Sequence, residues 1–169
     1  LEWLNLGENN ISGAIPPELG NLTHLEHLNL AYNHLDDLIP AEIGNLTNLK
    51  ELWLHNNHLI GAIPPELGNL ANLEILGLDS NLLTGQIPSE LTQMTGLKEG
   101  ESDLRWNALY TDDESVREFL DFRQADGDWE STQTLPPINL SVSEMTDTSV
   151  TLTWTPILYT EGDDGSGYE

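Results

Sequence analysis

The sequence contains no cysteine and only five lysine and arginine residues, against 29 aspartates and glutamates. Without cysteine there is no disulfide frame, no thiolate nucleophile and no cysteine-based metal site, and the redox compartment is left open. The formal net charge of −24 repels nucleic-acid phosphates and anionic headgroups, which argues against nucleic acid and membrane surfaces as partners. No run approaches the roughly 18 apolar residues of a membrane-spanning helix. No initiator methionine or signal-like segment opens the chain, and because it starts inside a repeat it is read as a piece of a longer protein. The acidic stretches ADGDWE and EGDDGSGYE lack the D-x-D-x-D-G spacing and distant glutamate of a calcium loop, so no metal is assigned to them.

What the sequence does contain is a period. The segments LEWLNLGENNI, LEHLNLAYNHL, LKELWLHNNHL and LEILGLDSNLL begin at Leu1, Leu25, Leu49 and Leu73, 24 residues apart each time. The stretch GAIPPELGNL recurs unchanged at 13–22 and 61–70. Each segment fits L-x-x-L-x-L-x-x-N-x-L and so resembles the leucine-rich repeat, a strand per turn whose leucines enter a core shared with neighbouring turns. In the second turn Leu25, Leu28, Leu30 and Leu35 are the inward set. One turn cannot bury them alone, and stacking removes their surface from water at roughly 25 cal/mol per Å². Asn9, Asn33, Asn57 and Asn81 close successive strands, followed by Asn107 after a spacing of 26. They are read as a structural ladder whose amides bond backbone groups where the sheet stops supplying partners.

The segments that follow the strands, SGAIPPELGNLTH, DDLIPAEIGNLTN, IGAIPPELGNLAN and TGQIPSELTQMTG, resemble the G-x-I-P part of the plant-type class of these repeats, a class also found in bacteria. The resemblance implies an α/β repeat fold: a leucine-rich repeat solenoid with a parallel sheet on its concave face and an irregular convex side. Pro16, Pro40, Pro64 and Pro88 fit extended backbone outside the ladder. Gly20, Gly44 and Gly68 fit a turn back towards the next strand. Asp37 stands where the other turns carry Gly13, Gly61 and Gly85, which leaves the local conformation there open.

The fifth turn, LKEGESDLRWNALY, places Gly100 and Ser102 where leucines belong and predicts a last strand near 101–105 with Leu104 inward. A solenoid end needs a cover. In TDDESVREFLDF, a T-x-x-E capping box from Thr111 to Glu114 precedes Val116, Phe119, Leu120 and Arg123 at helical spacing. These predict a capping helix over about 112–123, and the words NALYTDDE and DWESTQT resemble the C-terminal cap of leucine-rich repeats in bacterial multidomain surface proteins. From Leu135 the composition turns to Thr, Ser and Pro, and Val150, Leu152 and Trp154 alternate with threonines as in a half-buried strand. With Pro137, Leu140 and Val142 they resemble the first two strands of a fibronectin type III domain, which Tyr168 would continue. Such a sandwich takes about seven strands over roughly 100 residues, so the tail is expected to lack a closed core, to lean on the cap or lack order, and to leave Trp154 incompletely buried. The plan is therefore repeats over 1–108, a cap over 109–134, and a linker with a partial all-β fibronectin-like tail over 135–169.

Leucines and asparagines make the scaffold, so information can reside in the variable strand positions of the concave face. One column reads Trp3, His27, Glu51, Ile75, and the next Asn5, Asn29, Trp53, Gly77. Beyond them stand Gly7, Ala31, His55 and Asp79, flanked by Glu8, Tyr32, Asn56 and Ser80. Trp3, Asn5, His27, Asn29, Tyr32, Glu51, Trp53, His55 and Asp79 are the candidate ligand-binding residues. Tyr and Trp carry much of the binding energy at protein interfaces, and the same mixture suits sugars. Two cross-turn pairs, His27 with Glu51 and His55 with Asp79, are candidate pH-sensitive contacts. His34 and His58 are expected to stack on the flank. No nucleophile or closed pocket is apparent, so the expectation is a non-enzymatic, monomeric recognition module without cofactor. It would bind a protein, peptide or glycan and come from a secreted or cell-surface bacterial protein. The alternatives are the ectodomain of a plant-type receptor kinase, whose usual cysteine pairs are missing here, and a structural spacer in an adhesin. Sequons at Asn10, Asn21, Asn45 and Asn139 arise largely from the repeat itself and carry little weight.

Overall fold

A strand of three residues cannot hold itself together, and the in-phase leucines on its inner face are what bring the turns into contact. The computed structural model describes residues 1–134, 138–145 and 150–155. Strands Trp3–Asn5, His27–Asn29, Glu51–Trp53, Ile75–Gly77 and Ser102–Asp103 lie side by side in chain order as one five-stranded parallel sheet. Register follows the period: Leu4 pairs with Leu28, Leu28 with Leu52, and Leu52 with Leu76. Leu25, Leu28, Leu30 and Leu35 are buried as expected, and so are their equivalents Leu49, Leu52, Leu54, Leu59, Leu73, Leu76 and Leu78. Together they form one continuous core along the array.

The asparagine ladder is real and is made the same way at each interior rung. Asn57 Oδ1 accepts from the Leu35 amide at 3.0 Å, while its Nδ2 donates to the carbonyls of Leu30 and Leu54. Asn33, Asn81 and Asn107 repeat the pattern one turn away. Each rung thus satisfies backbone groups of two turns inside the core, where water cannot. Asn9, at the first turn, is exposed and bonds only carbonyls of its own turn.

The side of the solenoid is more regular than expected. Just after the ladder, strands Ile60–Gly61, Leu82–Gln86 and Ala108–Tyr110 form a second parallel sheet, and Ser12–Gly13 pairs with His34–Leu35 in another. Between the two pieces the ladder is reduced to a bridge, Leu38 to Ile60, and the bonds from His58 N to the Leu35 carbonyl and from Ile60 N to the Asp37 carbonyl. Asp37 explains the break: Gly13, Gly61 and Gly85 adopt φ of 88°, 75° and 93°, a region a side chain disfavours. Beyond this sheet each turn makes one 3-10 helix, Pro17–Asn21, Ala41–Asn45, Pro65–Asn69 and Ser89–Gln93, entered from an extended proline. Gly20, Gly44 and Gly68 sit inside these helices without positive φ. They are needed for contact, since a Cβ on Gly44 would lie 2.3 Å from the Glu66 carbonyl oxygen of the next turn.

The last strand, Ser102–Asp103, falls within the expected 101–105 and Leu104 is buried, but the end of the array departs from the expectation in its details. The two extra residues of the fifth turn fall before the strand, so Ser102 takes the Leu76 register and Gly100, at φ 69°, belongs to the inserted bend. Ser102 is buried because its hydroxyl donates to the Arg123 carbonyl at 2.7 Å, a bond that leucine could not make. The capping helix spans Glu114–Arg123, starting later than 112, and its N-cap is Asp113, whose carboxylate accepts from Ser115 N at 2.9 Å. Thr111 instead accepts from Asp113 N, so the capping box expected at Thr111 is not formed. Val116 and Leu120 are buried on the last turn and Phe119 packs beside them, with Arg123 stacked 4.0 Å over the Phe119 ring.

Gln133 then does what no other cap residue does. Its Oε1 accepts from Leu109 N at 2.9 Å and its Nε2 donates to the Leu104 carbonyl at 3.0 Å. Those groups are the next members of the series served by Asn33, Asn57, Asn81 and Asn107, so Gln133 is a sixth rung, 26 residues after Asn107. The cap therefore ends the solenoid by imitating one more turn.

Residues 135–169 form a separate unit. Strands Ile138–Met145 and Val150–Thr155 pair antiparallel with irregular register. Val142 is exposed. Pro137, Tyr168 and the surroundings of Leu140 and Trp154 lie outside the described residues, as does the expectation that the tail leans on the cap or lacks order.

Candidate functional site on the concave face

Alternation along each short strand turns one side chain in three into the core and the flanking two onto the concave face. Because the register is exact, the variable positions line up in columns across turns. Trp3 pairs with His27, His27 with Glu51, Asn29 with Trp53, and Trp53 with Gly77. The nine predicted site residues belong to this face or its rim, and seven of them gather into two groups, Asn5 and Asn29 standing apart.

The first group lies at the start of the array. The Trp3 and His27 rings stack with centroids 3.6 Å apart, and Trp3 remains 61% exposed. His27 Nδ1 lies 3.0 Å from Glu51 Oε2, but off the line of an N–H bond, so this buried nitrogen has an electrostatic neighbour and no hydrogen-bond partner. Glu51 Oε2 also accepts from the Trp53 indole at 3.3 Å, which links this group to the next.

The second group surrounds a hollow. The His55 ring makes T-shaped contacts with Tyr32 and Trp53, with centroids 5.1 Å and 5.6 Å apart. Gly77 forms the floor, and a Cβ there would come within 2.8 Å of His55 Nδ1. The resulting space of about 270 Å³ is walled by Tyr32, Trp53, His55, Asp79, Glu101 and Asp103. The Asp79 carboxyl is held above the usual aspartate range, first by burial and then by the charge of Asp103, with His55 and the Ser80 hydroxyl acting the other way. Burial also acts to raise Asp103, but hydrogen bonds from the Arg105 guanidinium and backbone, with Gln124, bring it below its ordinary value. Arg105 grips Asp103 in a fork, Nε to Oδ1 at 3.0 Å and Nη2 to Oδ2 at 2.6 Å.

Several expectations need adjustment. His55 and Asp79 line the same hollow and interact through charge without closing an ion pair, so of the two cross-turn pairs only His27 and Glu51 come within ion-pair distance. Asn5 and Asn29 use their Oδ1 to hold the turn behind the strand, accepting from Gly7 N and Ala31 N. His34 and His58 do stack on the flank, 5.8 Å apart. Sequence reasoning missed Asp103, Glu101 and Arg105, because the shift in the fifth turn hid their columns, and it did not count Gly77 as part of a site. It also missed Trp106, 56% exposed, which adopts the same left-handed conformation before its asparagine as Tyr32 does, φ 57° against 55°. The spacing of Trp106 before Asn107 was the available signal. Among the described residues no three acidic or histidine side chains are grouped to hold a metal, and no helix is long and apolar enough to cross a membrane.

Comparison with known proteins agrees with this geometry. A sequence model described as Leucine rich repeat matches residues 1–59, and another, Leucine Rich Repeat, matches 72–94. No curated protein matches the chain. Among solved structures, the ectodomain of the Arabidopsis receptor kinase HAESA, in complex with an extended IDA peptide hormone ligand, is 38% identical. It superposes with a TM-score of 0.66, covering 73% of this chain and 21% of that one. The ectodomain of the Arabidopsis thaliana receptor kinase SOBIR1 is 27% identical, with a TM-score of 0.65 over 77% of this chain and 70% of that one. A plant ice-binding protein is 33% identical, with a TM-score of 0.61 over 69% and 36%. The chain thus spans about a fifth of the length of the HAESA ectodomain.

Proposed function

Because these turns are leucine-rich repeats, in which the repeated residues build the frame and the others face a partner, we propose that the chain is a non-enzymatic recognition module binding an extended peptide or protein segment on its concave face. The observation that carries this reading is the aromatic and imidazole surface left open there: Trp3 and Tyr32 are exposed over half their area and Trp53 and His55 line an unfilled hollow. A sheet held in register by buried amides presents that surface already ordered, which lowers the entropy lost on binding. The structure of HAESA with its peptide ligand shares the fold, which favours a peptide over a glycan. A fold alone does not carry function, since an ice-binding protein shares it too.

The same likeness favours a second reading, the extracellular ectodomain of a plant-type receptor kinase. The absence of cysteine and the antiparallel pair at 138–145 and 150–155, which suits the start of a fibronectin-like domain, favour a bacterial surface protein. Selection of a random peptide display library against the chain, repeated with the variant Trp53→Ala/His27→Ala, tests recognition itself. Peptides enriched by the native protein and lost with the variant support it. An empty selection against both favours a structural spacer.

A further inference from the structure

Resting on that reading, we propose that the hollow between Tyr32, Trp53, Gly77 and Asp79 is a socket for one arginine side chain of the bound peptide. Three observations support it. The first is size: about 270 Å³ falls below the roughly 300–1,000 Å³ typical of small-molecule sites, and suits a single long side chain. The second is shape and chemistry. Tyr32 and Trp53 line it with aromatic rings, and Gly77 keeps it open where a Cβ would strike His55. A planar guanidinium stacks on such rings and forks onto a carboxylate, whereas a compact ammonium does only part of this.

The third is charge. Among the described residues no cation closes an ion pair with Asp79: the Ser80 hydroxyl donates to it at 3.2 Å, and His55 and Arg105 act on it only through charge, Arg105 being held by Asp103. Glu101 stands exposed at the rim. The five cationic side chains of the protein are already engaged. Lys50 is with Glu26, Lys98 with Glu74, Arg105 with Asp103, Arg117 with Glu114 and Glu130, and Arg123 over Phe119. An incoming guanidinium would offset the burial and the Asp103 charge that now disfavour ionised Asp79. It would also be drawn in by the field of a strongly acidic molecule.

The test uses the native chain and the peptides selected from the display library, each synthesised with its arginines in place and with citrulline, the neutral isostere, in their stead. Titration followed at the Trp53 indole resonance should show that arginine peptides bind at least tenfold more tightly than their citrulline forms. Asp79→Asn should remove most of that difference without lowering the melting temperature, and Glu101→Gln, on the exposed rim, should reduce it in part. If selected peptides bind the concave face with no enrichment in arginine, or bind equally as citrulline forms, the socket is refuted and peptide recognition stands. If no peptide binds, both are refuted.

Discussion

The ladder asparagines have one sequence motif but not one energetic weight. Removing the Asn57 side chain leaves the Leu35 amide unpaired in the core, at a cost of roughly 1–3 kcal/mol, while the carbonyls of Leu30 and Leu54 each lose one of two amide donors and keep those of Asn33 and Asn81. Asn57→Ala is therefore expected to lose about 2 kcal/mol in urea unfolding, and Asn9→Ala, whose partners water can replace, under about 1 kcal/mol. Equal losses would show that the ladder acts through helix-like local bonds alone. The two half-buried aspartates of the hollow differ in sign. Asp79 is raised, so the folded state holds its proton more tightly than the unfolded chain, and its ionisation removes stability as pH rises from the ordinary value, 3.8, through the raised one. Asp103 is lowered, so its contribution is present above 3.8 and fades as pH falls through the lower value. Asp79→Asn should then stabilise the protein at pH 7 and lose that advantage near pH 3, while Asp103→Asn should destabilise it at pH 7. Unfolding curves at both pH values decide this.

At the scale of elements, the strands and ladder were legible because each is dictated by residues within one period. The second sheet was not, since Ile60, Leu82 and Ala108 carry no motif of their own and pair only because stacking brings equivalent backbone together. The cap was half legible: its helix shows in the spacing of Val116, Phe119 and Leu120, but Gln133 is a rung only by virtue of where the chain returns. Gln133→Ala is expected to open the end of the array first. Amide exchange at Leu109 and in the helix Glu114–Arg123 should accelerate roughly tenfold to a hundredfold, the equivalent of about 2 kcal/mol. The amides of Leu52 and Leu54 should keep their protection. Uniform acceleration along the array would show instead that cap and repeats unfold as one unit.

Over the whole molecule, a solenoid is stabilised turn against turn, so its stability is close to a sum of neighbour contacts. Its charge acts differently, because a net −24 repels itself at low ionic strength and is screened over about 10 Å at 0.1 M salt. Melting temperature is expected to rise by a few degrees between about 10 mM and 150 mM sodium chloride. A fall would mean that the few ion pairs, such as Lys50 with Glu26 and Arg117 with Glu130, outweigh the repulsion.

The sequence by itself determined the period, the inward leucines, the amide ladder and the columns of the concave face, because these depend on spacing along the chain and a 24-residue turn converts spacing into position. Only the tertiary structure decided what those columns become. It took the register across turns to set Trp53 and His55 around the missing side chain of Gly77, and the displaced fifth turn to bring Asp103 and Glu101 to the same hollow. Neighbours across turns are chosen by packing, and packing is not written at any one position of the chain.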